Sequence, residues 1–106
     1  MATPEGKIKD KVKKILKTYD NMYYEMPVPS GYGKSGLDFT GCFCGRFFAI
    51  ETKAPGKKLT ALQMQTMHSI QRANGVVFVV DGERGMNELD AWLLVTYTIW
   101  KGEGRL

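Results

Sequence analysis

Asp38, Glu51 and Lys53 are the residues in this chain whose types and spacing could do chemistry together. Glu51 and Lys53 stand two apart in residues 46 to 53, an apolar run that reads as a strand. Alternation places them on one face with Phe47 and Ala49, while Phe48, Ile50 and Thr52 face the other way. Residues 37 to 41 read as a short partner strand, and a turn over residues 42 to 45 closes a hairpin that brings Asp38 alongside Glu51. Two carboxylates beside one ammonium suit a hard divalent ion, Mg2+ or Mn2+. Such an ion lowers the pKa of bound water and neutralises charge developing on a phosphate during phosphodiester hydrolysis. Lys53 would orient the attacking water or stabilise the transition state, or else simply pair with Glu51.

The elements that must position these residues are legible on either side. Thr3 followed by Pro4 is a helix start, and Ile8, Val12, Ile15, Leu16 and Tyr19 recur at helical spacing, predicting a helix over residues 4 to 18. Residues 22 to 26 read as a strand ended by Pro27 and Pro29, followed by a glycine-rich loop over residues 30 to 35. Beyond Lys53, Ala54-Pro55-Gly56 breaks the strand. Thr60 with Gln63 three residues later is a capping-box signature for a helix that carries Leu62, Met67 and Ile70 and ends before Asn74-Gly75. The β-branched run Val76–Val80 predicts a strand buried on both faces and parallel to the one before the helix. Met86, Leu89, Trp92, Leu93, Tyr97 and Trp100 then predict a closing helix, with a loose tail over residues 101 to 106. The expectation is one α/β domain over residues 1 to 106, a mixed sheet of about four strands flanked by helices, with the site at the sheet's edge.

Composition narrows the function. Fifteen Lys and Arg against eleven Asp and Glu give a net charge of +4, which favours polyanionic partners. The basic residues cluster at Lys7, Lys9, Lys11, Lys13, Lys14 and Lys17, where a solvated helix face explains them as well as phosphate binding does, and again at Lys53, Lys57 and Lys58. Cys42 and Cys44 are too close for an unstrained mutual disulfide, which points to a reducing compartment, and with one histidine the spacing of a structural zinc site is missing. No apolar run approaches a membrane span and no signal-peptide pattern opens the chain, so the expectation is a soluble, cytoplasmic protein.

A glycine turn, Asp38, a gap and then Glu51-Thr52-Lys53 resemble the motif of the PD-(D/E)XK nuclease superfamily. Within it the chain is most similar to the virus-type replication-repair nuclease domains (VRR-NUC), over roughly residues 4 to 82. Leu37 stands where a proline often precedes the Asp. The resemblance implies a restriction-endonuclease-like core and a Mg2+- or Mn2+-dependent endonuclease leaving a 5′-phosphate and a 3′-hydroxyl. It implies a metal held by Asp38, Glu51 and the main-chain carbonyl of Thr52, with Glu5 and Gln63 also facing the site. Stand-alone members are often phage-encoded, cut branched DNA such as Holliday junctions, and some act as homodimers.

Each assignment has a structural rival. Asp38 could be a turn residue, Glu5 is favoured in a first helical turn by the helix dipole, and Gln63 serves the capping box. Tyr32, Lys34, Ser35, Lys57 and Lys58 are candidates for contact with the DNA backbone, or plain loop residues. His68 lies mid-helix with no nucleophile nearby, and the spacing of Trp92, Tyr97 and Trp100 favours packing over base stacking. A catalytically silent nucleic-acid-binding module of the same fold is the rival for the whole.

Overall fold

The computed structural model describes residues 3–27 and 36–104. Helix α1, Pro4–Leu16, begins where Thr3 Oγ1 accepts the Gly6 N–H at 3.0 Å, and it buries the stripe Ile8, Val12 and Leu16. Strands β1 (Met22–Glu25), β2 (Phe39–Phe43) and β3 (Arg46–Thr52) form an antiparallel meander. Helix α2, Ala61–Arg72, then carries the chain over to β4, Val76–Val80, which pairs parallel with β3. The sheet order is β1-β2-β3-β4, and α3, Glu83–Gly102, closes the fold. This is the expected mixed sheet flanked by helices.

One sheet face carries the core. Phe39, Phe43, Phe48, Ile50 and Val80 are fully buried against Val12 and Leu16 of α1 and Leu89 and Leu93 of α3. Trp92 lies 5.4–6.3 Å, ring to ring, from Phe78, Phe48 and Phe43, and Tyr97 lies beside Tyr19, Phe43 and Trp100. These aromatics are therefore packing residues, and their half-burial follows from their size.

Several boundaries differ from expectation: β2 starts at Phe39 and not at residue 37, β3 ends at Thr52, and α3 runs on to Gly102, into the expected tail. Helix α1 stops at Leu16, two residues early, and β1 ends at Glu25. The hairpin loop is only Cys44-Gly45: both take positive φ, 54° and 78°, the type I′ geometry that matches strand twist, so pairing runs on to Phe43 and Arg46. Strand β4 is not buried on both faces. Val79 stays 37% exposed because, among the described residues, α2 alone covers that side, and no residue of α2 is buried.

Gly41 is where the sheet leaves no room. A Cβ there would collide with the Tyr23 carbonyl and come within 2.7 Å of the Phe48 ring, in the middle of the β1-β2-β3 meander. Gly41→Ala is therefore expected to cost about 2–3 kcal/mol, the upper part of the range for overpacking a tight core, in a urea titration followed by circular dichroism.

Candidate active site

Register assembles the site. Phe39 pairs with Ile50, so Asp38, one residue before β2, stands opposite Glu51. The contact is direct, with the Asp38 N–H donating to Glu51 Oε1 at 3.0 Å. In return β3 holds Asp38: the Thr52 N–H donates to its Oδ2 at 2.9 Å, and the Thr52 hydroxyl donates to the same oxygen. Asp38 is thus fixed by bonds to the neighbouring strand, fourteen residues away, and not by the local amides of a turn.

Glu51 is only 3% exposed, and its second oxygen is also satisfied. Oε2 accepts from Gln63 Nε2 at 2.8 Å and lies 3.3 Å from Lys53 Nζ. Lys53 is itself held by its N–H bond to the Val80 carbonyl, which extends the β3–β4 ladder one step. Gln63 caps α2 and also touches Glu51. Its Oε1 accepts the Thr60 N–H at 3.0 Å and its N–H donates to Thr60 Oγ1, completing the capping box, while its amide nitrogen reaches Glu51. The cap fixes the side chain that orients the carboxylate.

Burial is the main force raising the Glu51 pKa above the ordinary carboxylate value, and the adjacent Asp38 charge adds to it. The Asp38 N–H and Lys53 pull in the opposite direction without cancelling the rise. Loss of the Glu51 proton is thus harder in the folded chain than in the unfolded one.

The donor set fits a hard cation. Among the described residues no three His, Cys, Asp or Glu side chains gather as a ready-made cage, but two carboxylates meet at one end of the central strands β2 and β3, not at the sheet's edge as expected, because the sheet order puts β1 and β4 outside them. Mg2+ is commonly held by one or two carboxylates, keeping waters and taking further oxygens from a phosphate substrate.

The other expected residues fall in several places. Glu5 is half-buried in the first turn of α1 and, among the described residues, makes no hydrogen bond or ion pair with Asp38, Glu51 or Lys53. Lys57 and Lys58 are exposed on the loop from Lys53 to Thr60, flanking the site. Tyr32, Lys34 and Ser35 lie outside the described residues. His68 is exposed on α2, five residues beyond Gln63. Cys42 and Cys44 are free thiols.

Two participants escaped the sequence reading. The Thr52 side chain, expected to face away from Glu51, does so and yet grips Asp38 from below. Lys9 Nζ lies 3.7 Å from Asp38 Oδ1. No sequence signal singled it out: Lys7 also adjoins Ile8, and Lys13, beside Val12, is likewise half-buried.

A carboxyl whose pKa is raised by folding contributes a cost in its charged form. Stability from Glu51 is therefore full below its unfolded value and falls as pH rises through the folded one. Carbon-13 NMR titration should place the Glu51 midpoint above that of the exposed carboxylates. In Asp38→Asn, which removes the neighbouring charge, the midpoint should move down; an unchanged midpoint would leave burial as the whole cause.

No family model matches the chain, and a search of curated proteins finds no match either.

Proposed function

We propose that the chain is a metal-dependent endodeoxyribonuclease with a restriction-endonuclease-like core, similar to VRR-NUC domains. The observation that carries this reading is the packing of Asp38 against Glu51 through the β2–β3 register, with Lys53 3.3 Å from Glu51. Burying a carboxylate at 3% exposure beside another works against stability, and such an arrangement is characteristic of sites where charge is used.

Asp38, Glu51 and the Thr52 carbonyl would hold Mg2+ or Mn2+. When bound, the ion would supply Lewis-acid chemistry, lowering the pKa of water and neutralising charge on the phosphate. The chain's own residues do the rest. Thr52 locks Asp38 and Gln63 locks Glu51, so the two carboxylates are preorganised. Lys53, with its side chain only 14% exposed, presents an ammonium where negative charge grows on the phosphoryl oxygens, or steadies the attacking water. Glu5, which does not gather with Asp38 and Glu51, is left to the first turn of α1, and Lys34, Ser35, Lys57 and Lys58 would contact the backbone of bound DNA.

Branched DNA, including Holliday junctions, is the preferred substrate, because a two-fold dimer would set two sites against two symmetric strands. What supports pairing is an apolar stripe on α3, where Leu94, Val95 and Ile99 are more than half exposed in line with Ala91 and Thr98. Apposed antiparallel about its middle, this stripe would face Glu88 of one copy with Lys101 of the other. No helix among the described residues is long and apolar enough to cross a membrane. Two free thiols accord with a cytoplasmic setting, that of a bacterial host for a phage-encoded chain.

Cleavage of labelled four-way junction, flap and linear duplex with Mg2+, Mn2+ or EDTA tests the reading. Cutting should require metal, favour the junction, and fall at least ~100-fold in both Glu51→Ala and Lys53→Ala, the scale for losing a group that stabilises transition-state charge. Junction binding without cutting by the wild type would instead favour the silent module. Light scattering tests the pairing: the wild type should run as a dimer and Val95→Asp as a monomer, whereas a monomeric wild type would remove the symmetry argument for junctions.

A further inference from the structure

The oxygens of the two carboxylates differ in how they are held. Asp38 Oδ2 takes the Thr52 N–H and hydroxyl, Glu51 Oε1 takes the Asp38 N–H, and Glu51 Oε2 takes Gln63 together with Lys53. Asp38 Oδ1 has a single partner among the described residues, the Lys9 ammonium at 3.7 Å. This is also the open side of the site: the Asp38 and Lys9 side chains are 23% and 29% exposed, against 4% and 14% for Glu51 and Lys53. With Lys9 and Lys53 in place the pair of carboxylates is formally neutral, so an arriving divalent cation meets no net attraction unless one ammonium leaves. Lys9 is the easier of the two to displace, because its ion pair is longer, 3.7 Å against 3.3 Å, and its side chain is the more exposed, 29% against 14%.

We propose that Lys9 is an exchangeable cation, occupying Asp38 Oδ1 in the protein without metal, yielding it to the divalent ion, and then contacting a backbone phosphate of the DNA drawn to that ion. This rests on the nuclease reading above and adds to it a residue that couples metal loading to substrate binding. A displaced ammonium on the solvent side of the site is a compact, well-hydrated donor suited to a phosphate oxygen. No bond is made or broken; one ionic partner is traded for another.

The test uses the full chain as wild type, Lys9→Ala, Lys9→Arg and Lys11→Ala, with circular dichroism melts to verify folding. Mn2+ binding without DNA is read by calorimetry. Lys9→Ala should bind Mn2+ about two- to fivefold more tightly, the gain expected from removing a competitor held in a partly exposed ion pair. Lys11→Ala, a similar loss of charge on the far side of α1, should leave Mn2+ affinity unchanged. Junction binding is then measured in Ca2+ across a salt series. Lys9→Ala should bind DNA more weakly, with the slope of log K against log salt reduced by about one, and Lys9→Arg should restore both.

Mn2+ affinity that is unchanged or weaker in Lys9→Ala would overturn the exchange. Tighter Mn2+ binding with an unaltered salt slope would overturn the phosphate contact, and with it the proposal. A wild type that binds no Mn2+ and cuts no DNA defeats the nuclease reading and the role of Lys9 with it. An active wild type whose Lys9→Ala variant matches it in both titrations defeats the role of Lys9 alone.

Discussion

The pairing register of β2 and β3 is the constraint on which the rest of the site depends. It is fixed at one end by the two-residue loop Cys44-Gly45, whose positive φ angles demand a glycine at one position and tolerate little at the other. Asn21 helps to seat that loop through a 3.5 Å bond from its amide to Cys44 Sγ. From there each pair follows in turn, from Phe43 with Arg46 to Phe39 with Ile50, and the next step places Asp38 against Glu51. A slip of one residue would turn Glu51 toward the core of aromatics and break the Asp38–Thr52 contacts. The hairpin loop and the carboxylates are at opposite ends of the same ladder, so the loop geometry acts on the site at a distance.

Placing a carboxylate as deep as Glu51 works only because every oxygen is answered. A buried ionised group without partners costs several kcal/mol, and here a main-chain N–H, an amide and an ammonium share the task. The amide comes from α2, a helix that buries none of its own residues and leaves Leu62 and Met64 exposed. Its attachment to the sheet is loose in apolar terms, and its capping residue doubles as the contact with Glu51. Helix start and carboxylate orientation are therefore coupled: loosening the first turn of α2 would free both.

Much of this was legible in the sequence, because strong local signals coincided with the elements that matter. Alternation in β3 correctly separated Glu51 from Thr52, the Thr60-Gln63 spacing marked the start of α2, and the β-branched run marked β4. What escaped was tertiary. The extent of burial of β4 depends on how much of the second sheet face is covered, and among the described residues only α2 covers it. The hairpin loop looked longer because Cys42 and Phe43 carry no turn or strand signal strong enough to decide between them. Lys9 was indistinguishable by type from its neighbours on α1, and only the docking of Ile8, Val12 and Leu16 against the sheet fixes which lysine reaches Asp38. The two helix residues expected at the site diverge for the same reason: Gln63 has its amide on Glu51, while Glu5 makes no bond to the carboxylates.

The distribution of charge ties the acidic pair to the basic chain around it. Two adjacent carboxylates would repel a phosphate backbone, yet the protein is positive overall and much of that charge lies along α1. The apolar stripe of α1 faces the sheet, so Lys7, Lys11, Lys14 and Lys17 remain in solvent, where they raise the local potential without touching the site. Lys9 stands at the boundary between the stripe and the solvent face, near enough to Asp38 to cancel its charge. With Lys53 beside Glu51, the two carboxylates and two ammoniums are formally neutral as a group. In the proposed nuclease, attraction of the backbone and affinity for a divalent ion would be opposing electrostatic demands, and a lysine that changed partners would meet both on one surface.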